Sequence, residues 1–159
     1  MTTHRMLELA DEAQTAALGR ALAGALAKDD LVLLSGPLGA GKSALARAII
    51  RTRLVDPQAD VPSPSYTLVN VYGPPNGSAI WHADLYRLSD ASEVYELGLF
   101  DPLDALVLVE WPERAAGEWP ARRLEIALTP EAHADARRAE VTSFGSDWEA
   151  VMTAVAPWG

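Results

Sequence analysis

Eight residues, Gly36-Pro37-Leu38-Gly39-Ala40-Gly41-Lys42-Ser43, fit the spacing G-x-x-x-x-G-K-[ST] of a phosphate-binding loop. The chemistry open to that spacing is capture of a nucleoside triphosphate. Backbone N–H groups and the positive end of a helix dipole answer the phosphate charge. Gly36, Gly39 and Gly41 allow backbone angles and a close approach that a side chain would block. Lys42 brings a point charge to the β and γ phosphates, and Ser43 offers a hydroxyl to Mg²⁺. Gly36, Gly39, Ala40, Gly41, Lys42 and Ser43 are therefore the expected phosphate-side contacts.

Such a loop needs an acid to organise Mg²⁺ and water, ordinarily at the end of an apolar strand beside the loop strand. Glu110 ends the apolar run Ala105 to Val109 and fits best; Asp84, ending Ile80 to Ala83, is the second candidate. Hydroxyls at Ser63, Ser65 and Thr67 lie on a Pro-restrained segment, in the place where several phosphate-loop proteins sense the γ-phosphate. His82 reads as a core or surface histidine rather than a ligand. With three histidines and no cysteine, a structural zinc site is not expected. Trp81, Tyr86 and Tyr95 read as packing residues, whereas Trp111 directly follows the proposed metal acid.

The elements that must position these groups follow from the pattern. Leu31 to Leu34 reads as a buried strand before the loop, and Ser43 to Ile50 as a helix after it. Met6 to Leu9 alternates like a strand. Asp11 with Gln14 resembles a capping box that opens an amphipathic helix from Glu12 to Leu26. The stretch 61–67 is predicted extended, since two prolines exclude helix. Leu68 to Tyr72 and Ala79 to Ala83, with the turn 73–78 between them, make an antiparallel hairpin. Ala91 to Leu97 reads as a short helix capped by Ser89 or Asp90 and ended by Gly98. Pro112 turns the chain after Glu110. Leu124 to Leu128 and Ala139 to Phe144 are two more strands, and Asp147 to Val155 is a final helix.

The 159 residues, 49% of them hydrophobic, fit one domain with a sizeable core. No apolar run approaches the length of a membrane helix, and the N-terminus lacks a signal-peptide segment. With no cysteine, these features suit the cytoplasm. A formal charge of −9 argues against gripping nucleic acid mainly through phosphates. Arg47 and Arg51 share a face of the loop helix, which reads as a solvated face rather than a partner contact.

Five blocks occur in order: Gly36 to Ser43, Ser63-Pro64-Ser65-Tyr66-Thr67-Leu68-Val69, His82-Ala83-Asp84-Leu85-Tyr86-Arg87-Leu88, Glu96-Leu97-Gly98-Leu99 and Val109-Glu110-Trp111-Pro112-Glu113. Together they resemble the TsaE family, small ATPases of bacterial tRNA threonylcarbamoyladenosine synthesis. The resemblance spans roughly residues 7 to 145. It implies one α/β P-loop NTPase-like domain over residues 1–159, with a mixed parallel and antiparallel sheet flanked by helices. It further implies ATP and Mg²⁺ as cofactors, and ATP hydrolysis that is weak alone and supports turnover of a partner complex. The implied partners are the catalytic threonylcarbamoyl-transfer subunit and its dimerising companion, with tRNA contacted indirectly. Carried over by residue, Lys42 holds phosphates, while Ser43 and Glu110 bind Mg²⁺. Asp84 sits near the γ-phosphate and attacking water, and Ser65 and Thr67 form the sensing segment. Thr15 and Glu113 lie near the nucleoside, and Arg137 matches a family arginine. Asp84, Lys42 and Thr67 are thus the expected catalytic residues. Ser43 and Ser65 stand where threonine is commoner, and each keeps the hydroxyl.

Two other readings share the loop. A small-molecule kinase would need an acceptor pocket and a mobile arginine-bearing lid, for which Arg122-Arg123 and Arg137-Arg138 are the available residues. A non-hydrolysing nucleotide switch would bind partners without turnover. A guanine-specific switch is disfavoured, because no N-K-x-D occurs.

Overall fold

The computed structural model describes residues 2–75, 77–101, 104–133 and 135–159. Seven strands form one sheet: β1 (Thr2–Leu9), β2 (Leu31–Ser35), β3 (Val69–Tyr72), β4 (Ile80–Asp84), β5 (Leu106–Glu110), β6 (Arg123–Pro130) and β7 (Arg137–Phe144). Their spatial order is β1-β7-β6-β2-β5-β4-β3. The four central strands β6, β2, β5 and β4 run parallel, and β7, β1 and β3 are antiparallel to their neighbours. The sheet is therefore mixed, as expected. The near-continuous apolar runs of β2 and β5 follow from their place at its centre, where both faces are covered.

Helices α1 (Glu12–Ala25) and α2 (Lys42–Leu54) pack on one face, with α3 (Glu149–Val155) beside α1. Val32 and Leu34 of β2, with Leu106 and Leu108 of β5, meet this helical layer. Leu31, Leu33, Val107 and Val109 point the other way, into a second core under short 3₁₀ segments. Each such side chain, fully buried, contributes about 1.5–3 kcal/mol. Gly19 lets α1 and α2 approach closely, since a Cβ there would come within 2.4 Å of Ala48 Cβ.

The predicted elements recur with informative differences. Asp11 caps α1 through Gln14 N–H, yet the Gln14 side chain accepts from Trp158 Nε1 at 2.8 Å instead of completing a box. The predicted helix over Ala91 to Leu97 is a 3₁₀ segment, Ala91–Tyr95, with a true capping box between Asp90 and Glu93. In the 61–67 stretch, residues 61–64 belong to no helix or strand, and residues 65–67 form a turn closed by Leu68 N–H on the Pro64 carbonyl, with Leu68 at φ +68°. The final helix starts at Glu149, two residues later than expected. The hairpin turn at 73–78 includes Asn76, which lies outside the described residues. No helix among the described residues is long and apolar enough to cross a membrane.

Candidate functional site

β2 runs into the loop and the loop into α2, so the strand–loop–helix arrangement places the N-terminus of α2 above the C-terminal edge of the parallel strands. Gly36, Gly39 and Gly41 all have positive φ, at 139°, 78° and 102°. Gly36 is the most demanding, because a Cβ there would lie 2.3 Å from the Leu128 carbonyl oxygen of β6. Arg137, on β7, donates to the Ala40 carbonyl at 2.8 Å and the Gly39 carbonyl at 3.0 Å. A trans peptide points its N–H opposite its C=O. The guanidinium therefore turns the following N–H groups, those of Ala40 and Gly41, away from itself. Arg137 thus grips two carbonyls of the loop.

Lys42 is buried and donates to the Gly36 and Pro37 carbonyls, with its ammonium 4.0 Å from the centre of the Trp111 ring. Burial lowers its pKa from the ordinary 10.5, opposed by the nearby carboxylates of Glu110, Glu113 and Asp84. Trp111 holds this position from a left-handed backbone, φ +58°, and packs edge-on against Tyr86 at 4.9 Å. Such a conformation in a bulky residue costs on the order of 1–3 kcal/mol and is found where surroundings impose it.

The acids converge as the strand argument requires. β5 lies beside β2, with Glu110 opposite Leu34, and β4 lies beside β5, with Asp84 opposite Glu110. Glu110 is buried; its Oε1 accepts from Ser43 Oγ at 2.8 Å, and its Oε2 is 2.7 Å from His82 Nε2. Asp84, also buried, accepts from Ser63 and Ser65 at 3.1 and 3.3 Å through Oδ2 and from the Tyr86 N–H at 2.9 Å through Oδ1. A cavity of about 500 Å³ opens over this cluster, lined by the loop, Ser63, Ser65, Asp84, Glu110, Trp111 and Arg137. A serine hydroxyl and a carboxylate, both hard oxygen donors, fit Mg²⁺, which takes one or two protein carboxylates and completes its shell with phosphates and water.

Other expected residues lie apart. Thr67 is exposed and its hydroxyl donates to Asn70 Oδ1 at 2.9 Å, because the turn at residues 65–67 swings it off the line of Ser63 and Ser65. Ser63, one of the three hydroxyls on that segment but not among those the resemblance carries over, reaches Asp84 instead. Thr15 is buried in α1 and does not line the cavity; its hydroxyl is 3.5 Å from the Asp11 carbonyl. Glu113 lines a separate pocket with Trp119 and Arg123, although it is near enough to Lys42 to act on its charge. His82, expected as a core or surface residue rather than a ligand, is 1% exposed and lies against Glu110. Period-two alternation puts His82 and Asp84 on one face of β4, but no partner is visible until β4 is set against β5.

The chain is similar to known proteins of one family. The profile of the family described as "Threonylcarbamoyl adenosine biosynthesis protein TsaE" matches residues 9–139. A tRNA threonylcarbamoyladenosine biosynthesis protein TsaE from Rickettsia felis is 41% identical over 109 residues, covering 68% of this chain and 63% of the relative, so the chain spans less than two thirds of that protein. The protein of that name from Mycobacterium bovis is 37% identical over 132 residues, covering 77% of each. The crystal structure of Bacillus subtilis YdiB superposes with a TM-score of 0.77 over 99% of this chain and 97% of YdiB, at 21% identity, which shows the shared fold. The loop, the two strand-end acids and a family match over most of the sequence lead to one assignment: the chain belongs to the TsaE family of tRNA threonylcarbamoyladenosine biosynthesis proteins.

Proposed function

We propose that the chain is an Mg²⁺-dependent ATPase, slow alone, whose hydrolysis supports turnover of the cytoplasmic complex that threonylcarbamoylates the adenosine beside the anticodon. The observation that carries this reading is the Ser43–Glu110 bond at 2.8 Å at the mouth of a glycine-lined loop. The loop N–H groups and Lys42 bind and orient the triphosphate. Ser43 and Glu110 would hold Mg²⁺, which when bound neutralises phosphate charge and orients the transferring group. Asp84, with its Oδ2 shared between Ser63 and Ser65, would hold the attacking water and couple any shift of that segment to the strand end. Trp111, Tyr86 and Arg87 line the cavity beside the loop.

The partners proposed are the catalytic threonylcarbamoyl-transfer subunit and its dimerising companion, with tRNA held by them. A kinase is less well supported. Arg122 is committed to Asp30, Ser146 and Asp147, and Arg123 to Glu125 and Pro120. Arg137 grips the loop, and Arg138 pairs with Glu8 and Glu131. None of these four is placed as a swinging lid. The test measures phosphate release from ATP by the chain alone, with the two partner subunits, and with Lys42→Ala. Slow release, stimulation by the partners and loss in the variant are expected. Release that ignores the partners, or survives in Lys42→Ala, refutes the reading.

A further inference from the structure

Glu110 is anchored at both oxygens, and the anchor opposite the loop belongs to a residue that has no part in the hydrolysis described above. His82 Nε2 lies 2.7 Å from Glu110 Oε2, while Oε1 faces Ser43 Oγ at 2.8 Å. Both His82 and Glu110 are almost wholly buried, at 1% and 2% exposure. The other ring nitrogen, Nδ1, is also buried and has no hydrogen-bond partner among the described residues.

Those facts choose the tautomer. A proton on Nδ1 alone would orphan a buried N–H and set two acceptors against each other across 2.7 Å. A proton on Nε2 lets the imidazole donate to the carboxylate and leaves only a lone pair unpaired, which is the cheaper defect. A glutamate's terminal torsion is broad and roughly two-fold, so a carboxylate held at Oε1 alone would swing. With Oε2 tied to the ring, Oε1 is the oxygen presented beside Ser43.

We propose that His82 is a positioning residue for the metal site: its Nε2–H fixes Oε2 of Glu110 so that Oε1 and the Ser43 hydroxyl present a preset pair of oxygens to a divalent cation. The inference rests on the reading of the chain as an Mg²⁺-dependent ATPase and adds a residue to that site. It carries a selectivity consequence. Mg²⁺ demands near-ideal octahedral geometry, whereas Ca²⁺ accepts irregular shells. A loosened carboxylate should therefore penalise Mg²⁺ more than Ca²⁺.

The experiment is calorimetry of ADP binding, which needs no turnover, with Mg²⁺, with Ca²⁺ and with EDTA. His82→Leu should lower the apparent Mg²⁺ affinity of the ADP complex by about ten- to a hundred-fold, the usual cost of losing a group that orients a ligand. Its Ca²⁺ affinity should fall less, and its ADP affinity in EDTA should not change. His82→Gln, whose amide nitrogen can stand near the place of Nε2, should keep most of the Mg²⁺ response. An unchanged Mg²⁺ titration in folded His82→Leu, equal losses with EDTA and with Mg²⁺, or no rescue by His82→Gln would each overturn the proposal. If His82→Leu does not fold, His82→Asn, too short to reach Glu110, takes its place beside His82→Gln under the same criteria. A wild-type chain whose ADP affinity ignores Mg²⁺ would sink the ATPase reading and this inference together. A responsive wild type with unaffected variants would sink this inference alone.

Discussion

Replacing Gly36 by alanine tests whether the loop's shape is held by β6. The new Cβ would lie 2.3 Å from the Leu128 carbonyl oxygen and 3.2 Å from Ala40 Cβ, at φ +139°. An L-residue in that backbone region costs on the order of 1–3 kcal/mol. The obstructing atom is backbone within a paired strand, so relief requires moving the loop or β6, an overpacking cost of roughly 1–3 kcal/mol. Reduced freedom of the unfolded chain returns about 0.4–1 kcal/mol. The net is a loss of about 3 kcal/mol, or roughly 6–12 °C in Tm for a domain of this size. Gly39→Ala separates the two terms. Its φ is +78°, and nothing lies within 4 Å of its Cβ, so it carries the backbone cost of about 1–2 kcal/mol and the same unfolded-chain return, without the overpacking cost. Differential scanning calorimetry of both variants, with nucleotide titration, is the assay. Gly36→Ala should melt several degrees below Gly39→Ala and lose nucleotide affinity, because the loop N–H groups move. Equal melting temperatures, or wild-type affinity in Gly36→Ala, would show that the contact with Leu128 does not set the loop.

Further outcomes follow from the same geometry. Arg137→Ala should weaken ADP binding about ten- to a hundred-fold, the worth of one charge-assisted hydrogen bond, and speed amide exchange at Ala40 and Gly41; unchanged exchange would remove the clamp role. Nucleotide affinity should decline on the alkaline side at a lower pH than an ordinary lysine allows. Burial lowers the Lys42 pKa from 10.5, so the free protein loses the proton first and must regain it to bind phosphate. A binding curve flat up to the ordinary lysine range would contradict this. Gly19→Val should separate α1 from α2, because the wild-type backbone leaves 2.4 Å between an added Cβ and Ala48 Cβ; a Tm equal to wild type would show that the helices can slide apart without cost.

Residue types and spacing reveal the site unevenly. The loop is legible because three glycines and a Lys-Ser pair have one physical use in that order, and Glu110 is legible because an acid closes an apolar run. His82 is not, since its partner comes from a strand 28 residues away and the β4–β5 register is a tertiary fact. Thr67 illustrates the opposite error. Hydroxyls at alternate positions suggest one extended face, but the bond from Leu68 N–H to the Pro64 carbonyl curls the chain and takes Thr67 out of line. Asp11 and Gln14 show a local motif losing to a distant competitor, as Trp158 captures the glutamine side chain. Arg137 lies where the resemblance places a family arginine, yet its bonds to Gly39 and Ala40 need the whole sheet before they can be seen.

The cradle leans on a seam stitched late in the chain. Gly36 rests against Leu128, and Arg137 reaches back 98 positions to Gly39. A nascent polypeptide that has just finished its glycine turn therefore owns the ingredients of a phosphate trap without the brace that shapes it. Competence must arrive when the β6–β7 hairpin docks on β2, through β2–β6 pairings distant enough in sequence to be slow to form. Ribosome-tethered truncations ending before residue 137 should be blind to nucleotide, and acquisition of ligand protection during synthesis would mark the moment the C-terminal hairpin locks home.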